Sequence, residues 1–181
     1  MKKILLTFLS LGIVTSAFTQ TILVEDFNYT PGDTLASVNP SKGWTEFNGG
    51  LTNYFKIDST GLTYPGYIGS GIGKSISFTD IGQDAYKEMD STIDSGSIYL
   101  SAMINVKEAQ TSGDHIFGFL PPNSTSSLYS RVFIKHSSTG YYLVGISKTS
   151  VGSKEVATYS IDSFSYNTTY LAVLKYQFIA G

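Results

Sequence analysis

The sequence predicts an all-β fold, an antiparallel sandwich or barrel built from many short strands. Three observations predict it. Apolar residues recur at period two in several segments, which places them on one face of an extended chain. Clusters of Gly, Pro, Asn, Asp and Ser separate those segments. No stretch carries the spacing of an amphipathic helix. Composition agrees: 13 Tyr, 11 Phe and 18 Gly with only 14% charged residues suit a β-rich protein.

The strongest strand is SIYLSAMINV, where Ile98, Leu100, Ala102, Ile104 and Val106 share one face and Tyr99, Ser101, Met103 and Asn105 the other. In YSRVFIKH, Val132 and Ile134 alternate with Arg131, Phe133 and Lys135. In YYLVGISK, Tyr142, Val144 and Ile146 fall together. In TYLAVLKYQF, Tyr170, Ala172, Leu174, Tyr176 and Phe178 do so. Shorter strands are expected at TILVEDF, YFKI, SISF, HIFGF and VATYSI. Turns are expected at Thr30–Asp33, Asn48–Gly50, Ser112–Asp114, Pro121–Ser124 and Ser138–Gly140. No repeat or linker interrupts the chain, so residues 21–181 form one expected domain.

Residues 1–20 read as a secretory leader. Lys2 and Lys3 precede an apolar run from Ile4 to Val14, and Thr15, Ser16 and Ala17 supply small residues for cleavage between Ala17 and Gln20. The run is shorter than the ~20 apolar residues a spanning helix needs. The expected location is therefore secreted, extracellular or at the cell surface, with no membrane span in the mature chain. TYLAVLKYQF ends near Gly181 without a closing turn. This predicts that the natural chain continues and that the domain is a monomeric part of a longer protein.

Charge and cysteine content exclude several functions. The chain has 12 basic and 14 acidic side chains, and losing Lys2 and Lys3 leaves 10 against 14, a net −4. Such a balance offers no footprint for nucleic acid. The absence of cysteine excludes thiol nucleophiles, thiolate metal sites and dithiol redox chemistry.

GYIGSGIGKS, residues 66–75, invites a phosphate-loop reading that its spacing does not support. Counting back from Gly73, the first glycine of the loop would be residue 68, which is Ile68. The following Ser-Ile-Ser-Phe reads as a strand, so no helix N-terminus is available for phosphate. The expected role is a connection where backbones pass closely or take positive φ.

Catalytic patterns are equally incomplete. Glycoside hydrolysis needs two carboxylates flanking one bond. EMDSTID offers Glu88 and Asp90, then Ile93 in the third acidic position and Asp94 one place late. No Gly-x-Ser-x-Gly elbow occurs. The two histidines, His115 and His136, are far apart, and Asp114 beside His115 points to the opposite face if extended. The expectation is that the protein is not an enzyme and has no cofactor. A structural calcium remains open, because oxygen-rich loops contain Glu25, Asp26, Asp33, Asp80 and Asp84. The sequons at Asn28, Asn123 and Asn167 read as chance in a chain rich in Ser, Thr and Asn.

Aromatic faces give the sharpest functional expectation. If the apolar stripes face the core, Tyr99, Arg131 and Phe133 face outward, with Tyr141 on the next strand. Were these strands neighbours in one sheet, the four side chains would line a concave surface on which a sugar could stack, with polar groups at the rim. The competing expectation is a second minor core under a loop. Trp44 is expected in the core, and Tyr64 and Tyr67 belong to loops.

Taken in order, ILVEDFNYTPGDTL, GLTYPGY, SGIGKS, GSIYLSAMINV, SGDHIFGF, SRVFIK, GISK and NTTYLAVLKYQF make the chain similar to a known family. It resembles the laminin-G-like, concanavalin A-like jelly-roll domain of secreted Bacteroidota proteins, over about residues 21–181. The resemblance implies a two-sheet antiparallel jelly-roll sandwich at the cell surface, in proteins that often carry a type IX secretion sorting tail, absent here. It implies no settled activity. The leading expectation is a non-catalytic extracellular module that binds carbohydrate or a cell-surface partner. The alternatives are a polysaccharide hydrolase or lyase of the same fold, and a structural spacer.

Overall fold

The computed structural model of the chain describes residues 20–36, 43–48, 52–79, 82–124, 128–148 and 157–179. The leader expected at 1–20 lies outside them except for Gln20, as does Asp80. The described residues form an all-β structure without a helix, arranged in several antiparallel sheets. No helix among them is long and apolar enough to cross a membrane.

The four long predicted segments become strands. They are β5 (Ser97–Asn105), β7 (Tyr129–Ser138), β8 (Tyr141–Ser147) and β11 (Thr169–Gln177). Strand β6 (Asp114–Phe119) covers HIFGF, and β9 (Thr158–Tyr159) lies within VATYSI. YFKI and SISF shrink to β2 (Lys56–Ile57) and β3 (Ile76–Ser77), which pair with each other. Three strands have no counterpart in the predicted set: β1 (Trp44–Asn48), β4 (Asp84–Lys87) and β10 (Phe164–Ser165).

TILVEDF does not form the expected strand. Phe27 adopts φ 50°, where an extended ladder cannot continue. The Glu25 side chain instead organises the segment. One carboxylate oxygen accepts from the Trp44 indole at 2.9 Å, the Tyr29 hydroxyl at 3.0 Å and the Lys87 ammonium at 2.5 Å, while the other accepts from the Phe27 amide at 2.8 Å. Burial opposes ionisation of Glu25, yet these bonds hold its pKa below the usual value. Trp44 is half-buried and stacked on Phe27, with ring centroids 6.0 Å apart. Glu25 thus ties the N-terminal segment to the β1–β4 ladder.

Two layers carry most of the remaining structure. One is a five-stranded sheet with the order β10-β8-β7-β6, to which β9 adds along β8. The other is the long ladder of β5 with β11, in continuous register from Asn105↔Thr169 to Ser97↔Gln177. Period two puts Ile98, Leu100, Ala102 and Ile104 on the same face as Tyr170, Ala172, Leu174 and Tyr176. That face meets the larger sheet. Tyr176 reaches Phe119 of β6 at 6.5 Å, and Tyr170 reaches Tyr142 of β8 at 6.4 Å and Phe164 of β10 at 5.2 Å. Ile98, Val106, Val132 and Leu174 are buried in this region. Each such side chain stabilises the fold by about 1.5–3 kcal/mol through transfer from water.

Tyr142 sits within an aromatic cluster with Phe164, Tyr166 and Tyr170 and is 0% exposed. Its hydroxyl reaches no hydrogen-bond partner among the described residues. Ile146, expected on the same buried stripe, is 58% exposed. Its cross-strand partner Val132 on the same face is buried.

Candidate functional site

The outer face of the five-stranded sheet gathers a set of chemically capable side chains. On β7 the alternation that buries Val132 turns Arg131, Phe133 and Lys135 the other way. Cross-strand register then fixes their neighbours. Phe133 lies opposite His115 of β6 on one side and Gly145 of β8 on the other, and Gly145 lies opposite Tyr159 of β9. Direct partners in an antiparallel pair share a face. His115, Phe133, Gly145 and Tyr159 therefore form a row across four strands.

Gly145 gives that row its shape. A Cβ there would come within 2.7 and 2.8 Å of the Tyr159 ring. A Cβ at Gly113, at the turn leading into β6, would overlap the Tyr159 hydroxyl. The tyrosine ring thus lies across two glycines, spanning from β9 over β8 to the start of β6. Burial raises its pKa first, and the charge of Asp114 adds to the rise. The Lys135 ammonium stands 5.3 Å from the centroid of this ring.

A second ring lies beside it. The Arg131 guanidinium is 5.0 Å from the Phe133 centroid, and the His115 ring is 6.0 Å away on the other strand. Phe133 is only 9% exposed. It forms the floor of this face, beside the half-buried ring of Tyr159. Asp114 does not stand apart from His115 as period two predicts. Its Oδ1 accepts from the His115 amide at 2.7 Å and lies 3.2 Å from the imidazole Nδ1. A short carboxylate at the first residue of a strand can curl back onto its neighbour. The His115 bonds hold the Asp114 pKa down against burial, with Arg131 adding a smaller effect.

The four residues expected to share a surface divide. Arg131, Phe133 and Tyr141 lie on this outer face, Tyr141 towards the β10 end and 45% exposed. Tyr99 does not join them, because β5 pairs with β11 and not with any strand of the larger sheet. Tyr99 is 61% exposed on the outer face of that ladder, with the Lys175 ammonium 5.8 Å from its centroid. Since the inner face of the ladder packs on the sheet, Tyr99 and Phe133 look outward in opposite directions. Tyr67 borders the Tyr99 face through a 3.1 Å bond between its hydroxyl and Ser101 Oγ.

Sequence reasoning missed Tyr159 and Lys135. Lys135 was legible as a member of the outward stripe of β7. Tyr159 was not, because a two-residue strand shows no periodicity and the glycines that receive its ring are distant in sequence.

The other candidates resolve into structural roles. The 66–75 segment is a succession of tight turns, with Tyr67, Ser70 and Ile72 amides donating three residues back. Gly73, at φ 66°, presses against Asp26, and the Lys74 amide donates to the Asp26 carbonyl at 2.7 Å. Strand β3 follows, as expected. Glu88 and Asp90 are exposed and lie outside any strand. Asn123 and Asn167 occupy positive φ, at 59° and 57°, a conformation Asn tolerates in turns. Asn28 Oδ1 accepts from Lys74 Nζ at 2.7 Å. Among the described residues, no three His, Asp or Glu side chains converge to hold a metal ion. Glu25 is engaged as above, and Asp84 accepts from Asn48 at 3.1 Å.

Comparison with known proteins returns no match to a family model, a curated protein or a solved structure.

Proposed function

We propose that the chain is a non-catalytic extracellular module of the laminin-G-like, jelly-roll type that binds carbohydrate on the outer face of its five-stranded sheet. The all-β, two-layer packing and the leader-like N-terminus support the setting. One observation carries the binding reading: the Tyr159 ring lies across Gly145 and Gly113, on a sheet surface edged by Lys135, Arg131, Asp114 and His115. An aromatic surface bordered by donors and acceptors suits a sugar, whose apolar face stacks while its hydroxyls bond at the rim. Tyr141 extends the surface towards β10. The burial of Phe133 favours a second reading, a spacer whose outer aromatics serve only packing.

A glycan-array screen of the chain, with and without calcium, separates the two. The binding reading predicts a hit that Tyr159→Ala and Tyr141→Ala weaken at least tenfold and Tyr99→Ala leaves alone. Silence across the array, with folding intact by circular dichroism, supports the spacer.

A further inference from the structure

We propose that the saccharide taken by this face is acidic, and that Lys135 binds its carboxylate or sulfate. The inference rests on the carbohydrate-binding reading above and adds the chemical class of the ligand.

The charge arrangement on the face leads to it. Lys135 is half-buried, and among the described residues it has no carboxylate partner; its ammonium lies 5.3 Å from the centroid of the Tyr159 ring. The other cations near aromatic or buried surface differ. Lys87 is paired with Glu25 at 2.5 Å. Lys175 is exposed, where water serves an ammonium well. Arg131 shares its face with Asp114, whose ionisation it favours. Asp114, the carboxylate of this cluster, is engaged through Oδ1 by the His115 amide and the imidazole Nδ1. Lys135 is thus the cation of this face that stands against the Tyr159 ring with no carboxylate partner among the described residues.

The position of that charge is also specific. Lys135 and Arg131 lie four residues apart on one face of β7, about 13 Å along the strand, and the ammonium stands over the ring beside which a sugar would lie, 5.3 Å from its centroid. A ring substituent carrying an anion would meet Lys135 while the sugar's apolar face rests on Tyr159. Hydrogen bonds between ionised partners are about twice as strong as neutral ones, so a neutral sugar would leave the strongest contact of the face unused.

The test uses affinity electrophoresis of the full chain through four polymers: polygalacturonate, its full methyl ester, dextran sulfate and dextran. The proposal predicts retardation by polygalacturonate or dextran sulfate and at least tenfold weaker retardation by the matched neutral polymer. Retardation by polygalacturonate alone assigns a carboxylate, and by dextran sulfate alone a sulfate. Lys135→Gln should lose about tenfold in affinity, Lys135→Arg should retain most of it, and added salt should weaken binding. Equal retardation by charged and neutral polymers, or an unchanged Lys135→Gln, overturns the acidic-ligand proposal while Tyr159-dependent binding keeps the carbohydrate reading. Binding that Tyr159→Ala leaves intact overturns both, and no retardation by either charged polymer overturns the acidic-ligand proposal, the carbohydrate reading then standing or falling with the array.

Discussion

Removing one hydroxyl from the core should stabilise this protein. Tyr142 is wholly buried among Phe164, Tyr166 and Tyr170, and its hydroxyl has no partner among the described residues. A buried polar group without a hydrogen bond costs about 1–3 kcal/mol. Tyr142→Phe keeps the ring and deletes that cost. The expected gain is about 1 kcal/mol once some relaxation is allowed, or roughly 2–4 °C in Tm for a chain of this size. The effect should grow with pH. Burial first, then Tyr170 and Tyr166, push the Tyr142 pKa up to about 12. The unfolded chain releases this proton near pH 10. Between those values the folded state binds the extra proton, so wild-type stability falls with rising pH, at up to about 1.4 kcal/mol per pH unit from this group. It is fully present below pH 10 and lost as pH rises through 12. Tyr29, Tyr159 and Tyr166 are shifted the same way and remain in the variant. Urea unfolding of both proteins from pH 7 to 11.5 measures the difference directly. A Tyr142→Phe protein less stable at pH 7, or one with the same alkaline slope as wild type, would refute the reasoning.

Other substitutions test separate parts of the structure. Glu25→Gln should lose about 2–4 kcal/mol, because Lys87 is left half-buried without its charge partner; unfolding at pH 7 measures it. Since the Glu25 pKa is lowered on folding, its contribution is present above the ordinary carboxylate range and fades as pH falls through the folded value, so the stability gap between wild type and Glu25→Gln should narrow as pH drops below that range. Gly73→Ala should cost at least ~2 kcal/mol, since φ 66° and the Asp26 carbonyl both oppose a side chain there. Gly145→Ala should weaken saccharide binding more than it lowers stability, because the new methyl meets the Tyr159 ring at 2.7 Å and the Thr158 carbonyl only at 3.2 Å; array signal against a melting curve separates the two effects.

The long strands were legible because each spends enough residues half-buried to show its period. Ile98, Leu100, Ala102 and Ile104 do face the core, opposite the Tyr170–Tyr176 stripe of β11. TILVEDF misled because its apolar content suggests a strand, while the hydrogen bonds of Glu25 and the positive φ of Phe27 set another path. β1, β4 and β10 were not legible, being short and held by distant partners such as Lys87↔Trp44 and Phe164↔Tyr142. On the outer face, the alternation of β7 revealed Arg131, Phe133 and Lys135. It could not reveal which strands are neighbours, and that alone separates Tyr99 from the rest. The Tyr159 surface exists only once β9 is laid along β8, so no local pattern announces it.

The most direct measurement is an NMR titration of ring-labelled tyrosine in the whole chain with the saccharides of the array. Tyr159, assigned through Tyr159→Phe, should shift on addition of a ligand, with Tyr141 following for longer oligosaccharides and Tyr99 unmoved. A shift at Tyr99 with Tyr159 silent, or no tyrosine shift with any saccharide, would contradict a binding surface on the outer face of the five-stranded sheet.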